Sequence, residues 1–339
     1  MYHPRLEGNH YEMGFHYGSL LLKGGVSFEE IIKLTDEQIE FGKESLKICE
    51  KVIPKICDEI RGLADGVKIN YEMFASWLLS MYCFGDEHGC TCLCFKDGDK
   101  IIFGRNGDMY PELKATSESI LYRPKEGNIF LGHSTALISM EDGINEYGLA
   151  AGMTFLLPKN IKYGLNAGFL VRHILESCKN VNEAIDLLNT VPISSTQNIV
   201  LADKDGDMAV VECSSQKIIV RRSEKNYLIA SNHFVSSQMI GQHANPEENW
   251  YHSLDRYNTI DVALNKTNGK ESVLYAQEIL SGKYGFVCQY EKKLKFDTLW
   301  SVVYDLSELN VYCAEGNPSR KKYIEDTRLK WGISKKKKQ

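Results

Sequence analysis

Two short runs hold the side chains best suited to chemistry: His88-Gly89-Cys90-Thr91-Cys92-Leu93-Cys94 and Arg105-Asn106-Gly107-Asp108. A thiol attacks an acyl carbon only as thiolate, and an ordinary cysteine is mostly protonated at neutral pH. Cys90 therefore needs a base. His88 is two residues away, but a strand beginning at Cys90 does not fold it back onto the sulfur. A cysteine at a new chain terminus carries its own base, because an α-amino group with a pKa of ~8 takes the thiol proton directly or through a water. Making that terminus requires cutting the Gly89–Cys90 bond, by attack of the Cys90 sulfur on the Gly89 carbonyl and hydrolysis of the resulting thioester. Gly89, with no Cβ, is expected to tolerate a strained conformation at the scissile bond.

Strand alternation decides what faces the sulfur. Cys90 to Phe95 alternates, Lys96-Asp97-Gly98-Asp99 reads as a turn, and Ile101-Ile102-Phe103 resumes a strand. Cys90, Cys92 and Cys94 share one face, with Thr91 and Leu93 on the other. The hairpin returns Arg105, Asn106 and Asp108 close to Cys90. A cationic Arg105 lowers the thiol pKa, and Asp108 is placed to hold a freed amine. Blander readings of the same residues are a buried structural thiol and a solvated surface ion pair. No metal site is expected, since zinc knuckles use C-x2-4-C pairs with a distant second pair. A redox role lacks the C-x-x-C helix start.

The elements around this hairpin fall into blocks. Residues 1–89 read as largely helical. One helix opens at Tyr11 despite Gly14 and Gly18, apolar residues keep helical spacing from Ser27 to about Ala64 with a break at Pro54, and a further helix covers 71–81. From residue 90 strands dominate, near 129–138, 147–155, 198–203, 208–213, 216–222, 227–231, 298–304 and 311–314. Helices are expected at 169–178, 181–188, 248–265 and 271–281. Several hairpins with helices grouped between them indicate a layered α+β fold with mainly antiparallel sheet. The lysine run at 335–338 reads as a solvated, disordered end.

Composition narrows the function classes. With 40 basic and 45 acidic residues the net charge is −5, which provides no field for nucleic acid. No run approaches the ~18–20 apolar residues of a membrane span, and Met1-Tyr2-His3-Pro4-Arg5 lacks a signal pattern. The expectation is a cytoplasmic protein with neither nucleic-acid nor membrane partner, whose ten cysteines are reduced and mostly buried.

Taken in order, the motifs resemble the N-terminal-nucleophile hydrolases related to acyl-coenzyme A:6-aminopenicillanic acid acyltransferase and, more distantly, choloylglycine hydrolase and penicillin V acylase. Tyr11-Glu12-Met13-Gly14 with Tyr17-Gly18-Ser19 resembles the opening helix, Gly89-Cys90-Thr91 the processing site, and Gly104-Arg105-Asn106-Gly107-Asp108-Met109 the Arg-Asn-x-Asp segment. Asn145-Glu146-Tyr147-Gly148-Leu149 and Ser231-Asn232-His233-Phe234 are similar to two further family segments. So are Ser253-Leu254-Asp255-Arg256-Tyr257 and the end from Thr298-Leu299-Trp300-Ser301 to Glu315-Gly316-Asn317-Pro318.

The resemblance implies a four-layer αββα sandwich with two mainly antiparallel sheets. It implies autocleavage into a helical segment 1–89 and a catalytic segment 90–339 that stay associated as one structural domain. Cys90 is then nucleophile and, through its amine, base; Arg105 and Asp108 position and polarise it. Asn232 donates to the oxyanion, a backbone N–H near Thr154 is a second donor, Asn145 is an oxyanion or substrate residue, and Arg256 is a further active-site arginine. The implied reaction is cleavage of a linear non-peptide N-acyl amide through a Cys90 thioester. The alternatives are an N-acyltransferase that passes the acyl group to an amine, and a non-catalytic binding protein on the same fold. No cofactor is implied; a coenzyme A thioester would enter only as acyl donor. Homo-oligomerisation is left open.

Overall fold

The computed structural model describes residues 1–85, 89–222, 224–244, 249–266, 271–291, 293 and 295–336. His88 lies outside the described residues, as do Asp86 and Glu87.

The chain starts with a short strand, β1 (Arg5–Gly8), and enters α1 (His10–Lys23) through a reciprocal cap. The Asn9 side chain accepts from the Glu12 N–H, and the Glu12 carboxylate accepts from the Asn9 N–H. Four more helices follow: α2 (Phe28–Ile31), α3 (Asp36–Val52), α4 (Pro54–Val67) and α5 (Tyr71–Ser80). Pro54 ends one helix and begins the next, at the position where its missing N–H has no intrahelical partner to lose. The glycines of α1 have a packing cause. A Cβ on Gly14 would sit 2.0 Å from the Glu59 carbonyl oxygen, and one on Gly62 2.1 Å from the Tyr11 carbonyl oxygen. The backbones of α1 and α4 touch, and only glycine permits it.

After α5 the strands take over: β2 (Gly89–Asp97), β3 (Lys100–Met109), β4 (Glu118–Pro124), β5 (Phe130–Ser134), β6 (Asp142–Asn145) and β7 (Ala150–Phe155). Two helices, α6 (Ala167–Ser177) and α7 (Val181–Thr190), precede β8 (Gln197–Ala202), β9 (Met208–Cys213), β10 (Ile218–Arg221) and β11 (Tyr227–Ala230). The chain closes with α8 (Ser253–Leu264), α9 (Ser272–Leu280), β12 (Asp297–Asp305), β13 (Asn310–Ala314), β14 (Ile324–Glu325) and α10 (Arg328–Lys336).

Two sheets result. One has eight strands in the order β1-β4-β5-β6-β7-β8-β9-β10, the other six in the order β11-β2-β3-β12-β13-β14. Among the described strands only β1 and β4 pair in parallel. Three apolar cores separate four layers. Helices α1 and α3–α7 pack on the outer face of the larger sheet, with Met13, Ile60, Phe74 and Leu170 meeting Tyr122, Met153 and Ile199. Between the sheets lie Cys92, Phe103, Leu131, Val200 and Trp300. Helices α8 and α9 cover the outer face of the smaller sheet over Leu93, Ile102 and Ile229. This is the αββα sandwich expected.

Five elements escape the pattern reading. β1 is four residues long and β14 only two, β6 has a single large apolar residue, and α10 hides in a lysine-rich end. β4 is buried throughout, yet starts on Glu118 and ends near Arg123, so it shows no alternation. Lys335 and Lys336 are helical rather than disordered, and residues 337–339 lie outside the described part. Among the described residues no helix is long and apolar enough to cross a membrane.

Candidate active site

The β2–β3 hairpin sets the site. Its register pairs Gly89 with Asp108, Cys90 with Gly107, Thr91 with Asn106 and Cys92 with Arg105. Directly opposed residues share a sheet face, so Arg105 lies diagonal to Cys90 on the face turned toward the other sheet. Cys90 is fully buried. The Arg105 guanidinium donates from Nη2 to the Cys90 Sγ at 2.9 Å and to Glu141 Oε2 at 3.0 Å. Its Nη1 donates to Asp142 Oδ2 at 2.9 Å, and its Nε to the Met153 carbonyl at 2.9 Å. Asp142 also accepts from Trp300 Nε1 (3.0 Å) and Tyr304 Oη (2.6 Å), and pairs with His133 Nδ1 at 2.8 Å.

These surroundings set the charge states. Burial alone would raise the Asp142 carboxyl, but His133, Arg105 and the Tyr304 hydroxyl outweigh it and hold the pKa down at about 2. At Cys90 the balance is reversed: burial pushes the thiol up to about 11 despite the adjacent Arg105. The thiol of the unbroken chain is thus neutral at pH 7, which is the situation that calls for a base.

A second group clamps the Cys90 backbone. The Cys90 N–H donates to Asn232 Oδ1 at 3.0 Å. Arg256 Nη1 donates to the Cys90 carbonyl and to Thr91 Oγ1, both at 2.6 Å, and its Nη2 donates to Asn232 Oδ1 at 2.6 Å. Asn232 Nδ2 donates to the Phe155 carbonyl at 2.7 Å. Two donors meet one end of the amide and a carbonyl meets the other, which leaves a single chemically sensible orientation. Arg256 is buried, while its neighbour Asp255 faces outward and bonds Asn249 and His252.

Asp108 sits beside the Gly89–Cys90 junction, opposite Gly89 in the register. It accepts from Thr298 Oγ1 (2.6 Å) and Tyr290 Oη (2.8 Å), with Arg256 Nη1 at 3.7 Å. Burial raises its pKa to about 6, against the pull of Arg256 and both hydroxyls. In the unbroken chain the Cys90 N–H points to Asn232, not to Asp108. Gly89 lies in extended β2, so left-handed strain is not the reason for glycine there. A Cβ would meet the Phe296 ring at 2.7 Å, and Tyr251 stacks on that ring with centroids 3.9 Å apart. The glycine lets the Phe296 ring lie directly against the junction.

One expected residue has other employment. Both described bonds from the Asn145 Nδ2 go to the carbonyls of Leu175 and Cys178, and its Oδ1 accepts from the Tyr147 and Leu149 N–H groups. Its amide ties β6 to the end of α6, so a substrate-side placement is not what the structure gives it. The Thr154 hydroxyl donates to the Ser231 carbonyl at 2.6 Å, next to Asn232. Residues not singled out from sequence are Glu141, Asp142, Tyr290 and Asn198. Asn198 Nδ2 lies within bonding distance of Thr154 Oγ1 (2.9 Å) and of the carbonyls of Ser231 (2.9 Å) and His233 (3.2 Å), on either side of Asn232. The adjacent acids Glu141-Asp142 were the one signal that could have drawn attention.

The family model described as acyl-coenzyme A:6-aminopenicillanic acid acyl-transferase matches residues 94–320. The chain belongs to that family. The match takes in Arg105, Asp108, Glu141, Asp142, Asn232 and Arg256; Gly89 and Cys90 lie just before it. An uncharacterized protein of Archaeoglobus fulgidus is 23% identical over 360 residues, which cover 84% of this chain and 59% of that protein. The chain therefore spans less than two thirds of that relative's length. Among solved structures, penicillin V acylase from Agrobacterium tumefaciens aligns at 17% identity and a TM-score of 0.49, covering 67% of this chain and 82% of that one. A variant of conjugated bile acid hydrolase from Clostridium perfringens aligns at 13% identity and a TM-score of 0.49, covering 70% and 93%.

Proposed function

We propose that this family member is a cysteine amidohydrolase activated by its own sulfur. The Cys90 thiol adds to the Gly89 carbonyl, the Gly89–Cys90 C–N bond breaks with proton transfer to nitrogen, and water hydrolyses the thioester. The products are a Gly89 carboxylate and a Cys90 bearing a free thiol and a free amine. That amine then takes the thiol proton, the thiolate attacks a linear N-acyl amide, an amine leaves, and water releases the acid. Arg105 holds the sulfur. Asn232, with a backbone N–H near Thr154, is assigned the oxyanion, a role whose loss costs roughly 3–4 kcal/mol of barrier.

The observation that carries this reading is the double grip on residue 90. Arg105 meets the sulfur while Asn232 and Arg256 hold the N–H and carbonyl of the same residue. A merely structural thiol has no need of three buried polar partners. The two segments are also tied together without the peptide bond. β1 pairs with β4, Tyr17 donates to Glu118, and Glu59 meets Arg172 at 2.8 Å. Segment 1–89 supplies much of the core against the larger sheet.

Intact-mass analysis is the first test. Two pieces split before residue 90 are expected, and one uncut piece in Cys90→Ala; an active enzyme that remains uncut would refute the amine as base. A panel of acyl amides assayed with and without added amine then separates hydrolysis from the acyl transfer after which the family is described.

A further inference from the structure

The larger sheet carries a row of polar side chains that ends on the site. The register pairs Ser119 with His133 and His133 with Asp142, so the three are directly opposed across β4, β5 and β6. Opposed residues share a sheet face. This face is turned to the smaller sheet, where Asp142 meets Arg105 and Trp300. All three residues are buried. His133 Nε2 lies 3.1 Å from Ser119 Oγ. Arg328 of α10, also buried, holds Ser119 in turn, donating from Nη2 to Oγ at 2.7 Å and from Nη1 to the carbonyl at 2.8 Å. The row runs Arg328, Ser119, His133, Asp142, Arg105, Cys90, with one side chain from each of six elements.

Hydrogen accounting fixes what His133 does. An ionised carboxylate only accepts hydrogen bonds, so the hydrogen between Asp142 and His133 belongs to Nδ1. Nδ1 is also 3.1 Å from Tyr304 Oη, whose own hydrogen goes to Asp142, so both neighbours of Nδ1 are acceptors. Four donors then fill the carboxylate: His133 and Tyr304 at Oδ1, Arg105 and Trp300 at Oδ2. Without His133, Oδ1 keeps Tyr304 as its one described donor, and the acceptor that sets the angle of the Arg105 guanidinium is held less firmly. We propose that His133 is a positioning residue for the Cys90 chemistry, donating its Nδ1–H to Asp142 so that Arg105 stays directed at the sulfur, while Ser119 and Arg328 fix the far side of the ring. This role rests on the function proposed for Cys90; the placement of the Nδ1 hydrogen stands without it.

Imidazole ¹⁵N NMR of the full chain, with paired variants, tests it. The resonance that vanishes in a His133 variant should show a protonated Nδ1 at neutral pH. An asparagine at this position puts its amide nitrogen where Nδ1 lies, whereas a glutamine puts its amide near Nε2 and in reach of Ser119 only. His133→Asn should therefore keep self-cleavage within about threefold of wild type, and His133→Gln should slow it about tenfold or more, the cost of a misdirected group. Side-chain volume alone predicts the opposite order, because glutamine is the closer match to histidine in size. In amide turnover the glutamine loss should fall on kcat, with KM nearly unchanged. Ser119→Ala should slow self-cleavage about threefold and serves if the His133 variants do not fold. A proton on Nε2 alone, a glutamine variant as fast as the asparagine one, or full-rate cleavage in Ser119→Ala overturns the proposal. A wild-type chain that neither cuts nor turns over sinks the Cys90 reading, and this role with it, whatever the variants do.

Discussion

Three of the described arginines are buried completely, and two of them, Arg105 and Arg172, have much in common. Each is paired with two carboxylates: Arg105 with Glu141 and Asp142, Arg172 with Glu59 and Glu176. Each lies near aromatic rings, Arg105 by Trp300 at 5.4 Å and Arg172 over Tyr122 at 3.7 Å. The differences are in what is left over. At Arg172, Nη1 and the Glu59 Oε1 have no hydrogen-bond partner among the described residues, and burial raises the Glu59 carboxyl despite the arginine. At Arg105, Nε, Nη1 and Nη2 all have partners, Asp142 is held firmly ionised, and one donor is directed at sulfur. Burial and ion pairing therefore do not mark a reactive site. What sets the Cys90 surroundings apart is a fully matched guanidinium with one bond directed at a thiol.

The sharpest way to break this contrast is to change both arginines. Lysine at position 105 cannot reach Cys90, Glu141, Asp142 and the Met153 carbonyl together, since it lacks the planar fork. Arg105→Lys should slow self-cleavage and turnover by about 10²–10³-fold, the range for losing one preorganised donor. Arg172→Met leaves Glu59 and Glu176 buried without their cation. It should lower stability by about 3–5 kcal/mol in urea unfolding, with kcat of the folded fraction unchanged. A drop in kcat without a drop in stability for Arg172→Met would erase the distinction.

The sulfur itself sharpens it next. With the thiol at about 11 in the unbroken chain, the thiolate fraction rises about tenfold per pH unit below that value. Self-cleavage should follow the same slope from pH 6 to 9 when timed by intact mass. Amide hydrolysis by the cleaved protein should instead level off near ~8, where the new α-amine loses its proton. Coincident profiles would mean that one base serves both steps.

How much of this could be read from sequence followed from distance along the chain. The 90–108 hairpin is local: alternation and an Asp-Gly turn bring Arg105 and Asp108 back to Cys90, as the register bears out. Asn232 and Arg256 come from separate elements more than 140 residues away, and only the family resemblance pointed to them. Glu141 and Asp142 reach Arg105 across the gap between sheets, and nothing local forecasts that stacking. Asn145 misled because its Asn-Glu-x-Gly-Leu setting marks a turn, and the amide it provides bonds a helix end. The glycines of α1 looked like weaknesses in a helix, since their partner, the backbone of α4, is about 45 residues further on.

Asn198 offers the finest test of the contrast, because none of its described hydrogen bonds goes to Cys90. Its amide instead bridges the carbonyls of Ser231 and His233 and the Thr154 hydroxyl. It is thus a positioning residue for Asn232. Its Oδ1 is buried without a hydrogen-bond partner among the described residues, so removing the side chain discards an unmatched acceptor along with the bonds. The net stability change for Asn198→Ala should stay near 1 kcal/mol. Turnover should respond more: with Asn232 free to drift, kcat is expected to fall about tenfold, equivalent to ~1.4 kcal/mol of barrier, while KM changes less than twofold. If Asn198 only fills space, the loss appears in urea unfolding and kcat holds. If it aims the oxyanion donor, the loss appears in kcat, because a misplacement of the Asn232 amide weakens only what that amide does in the transition state.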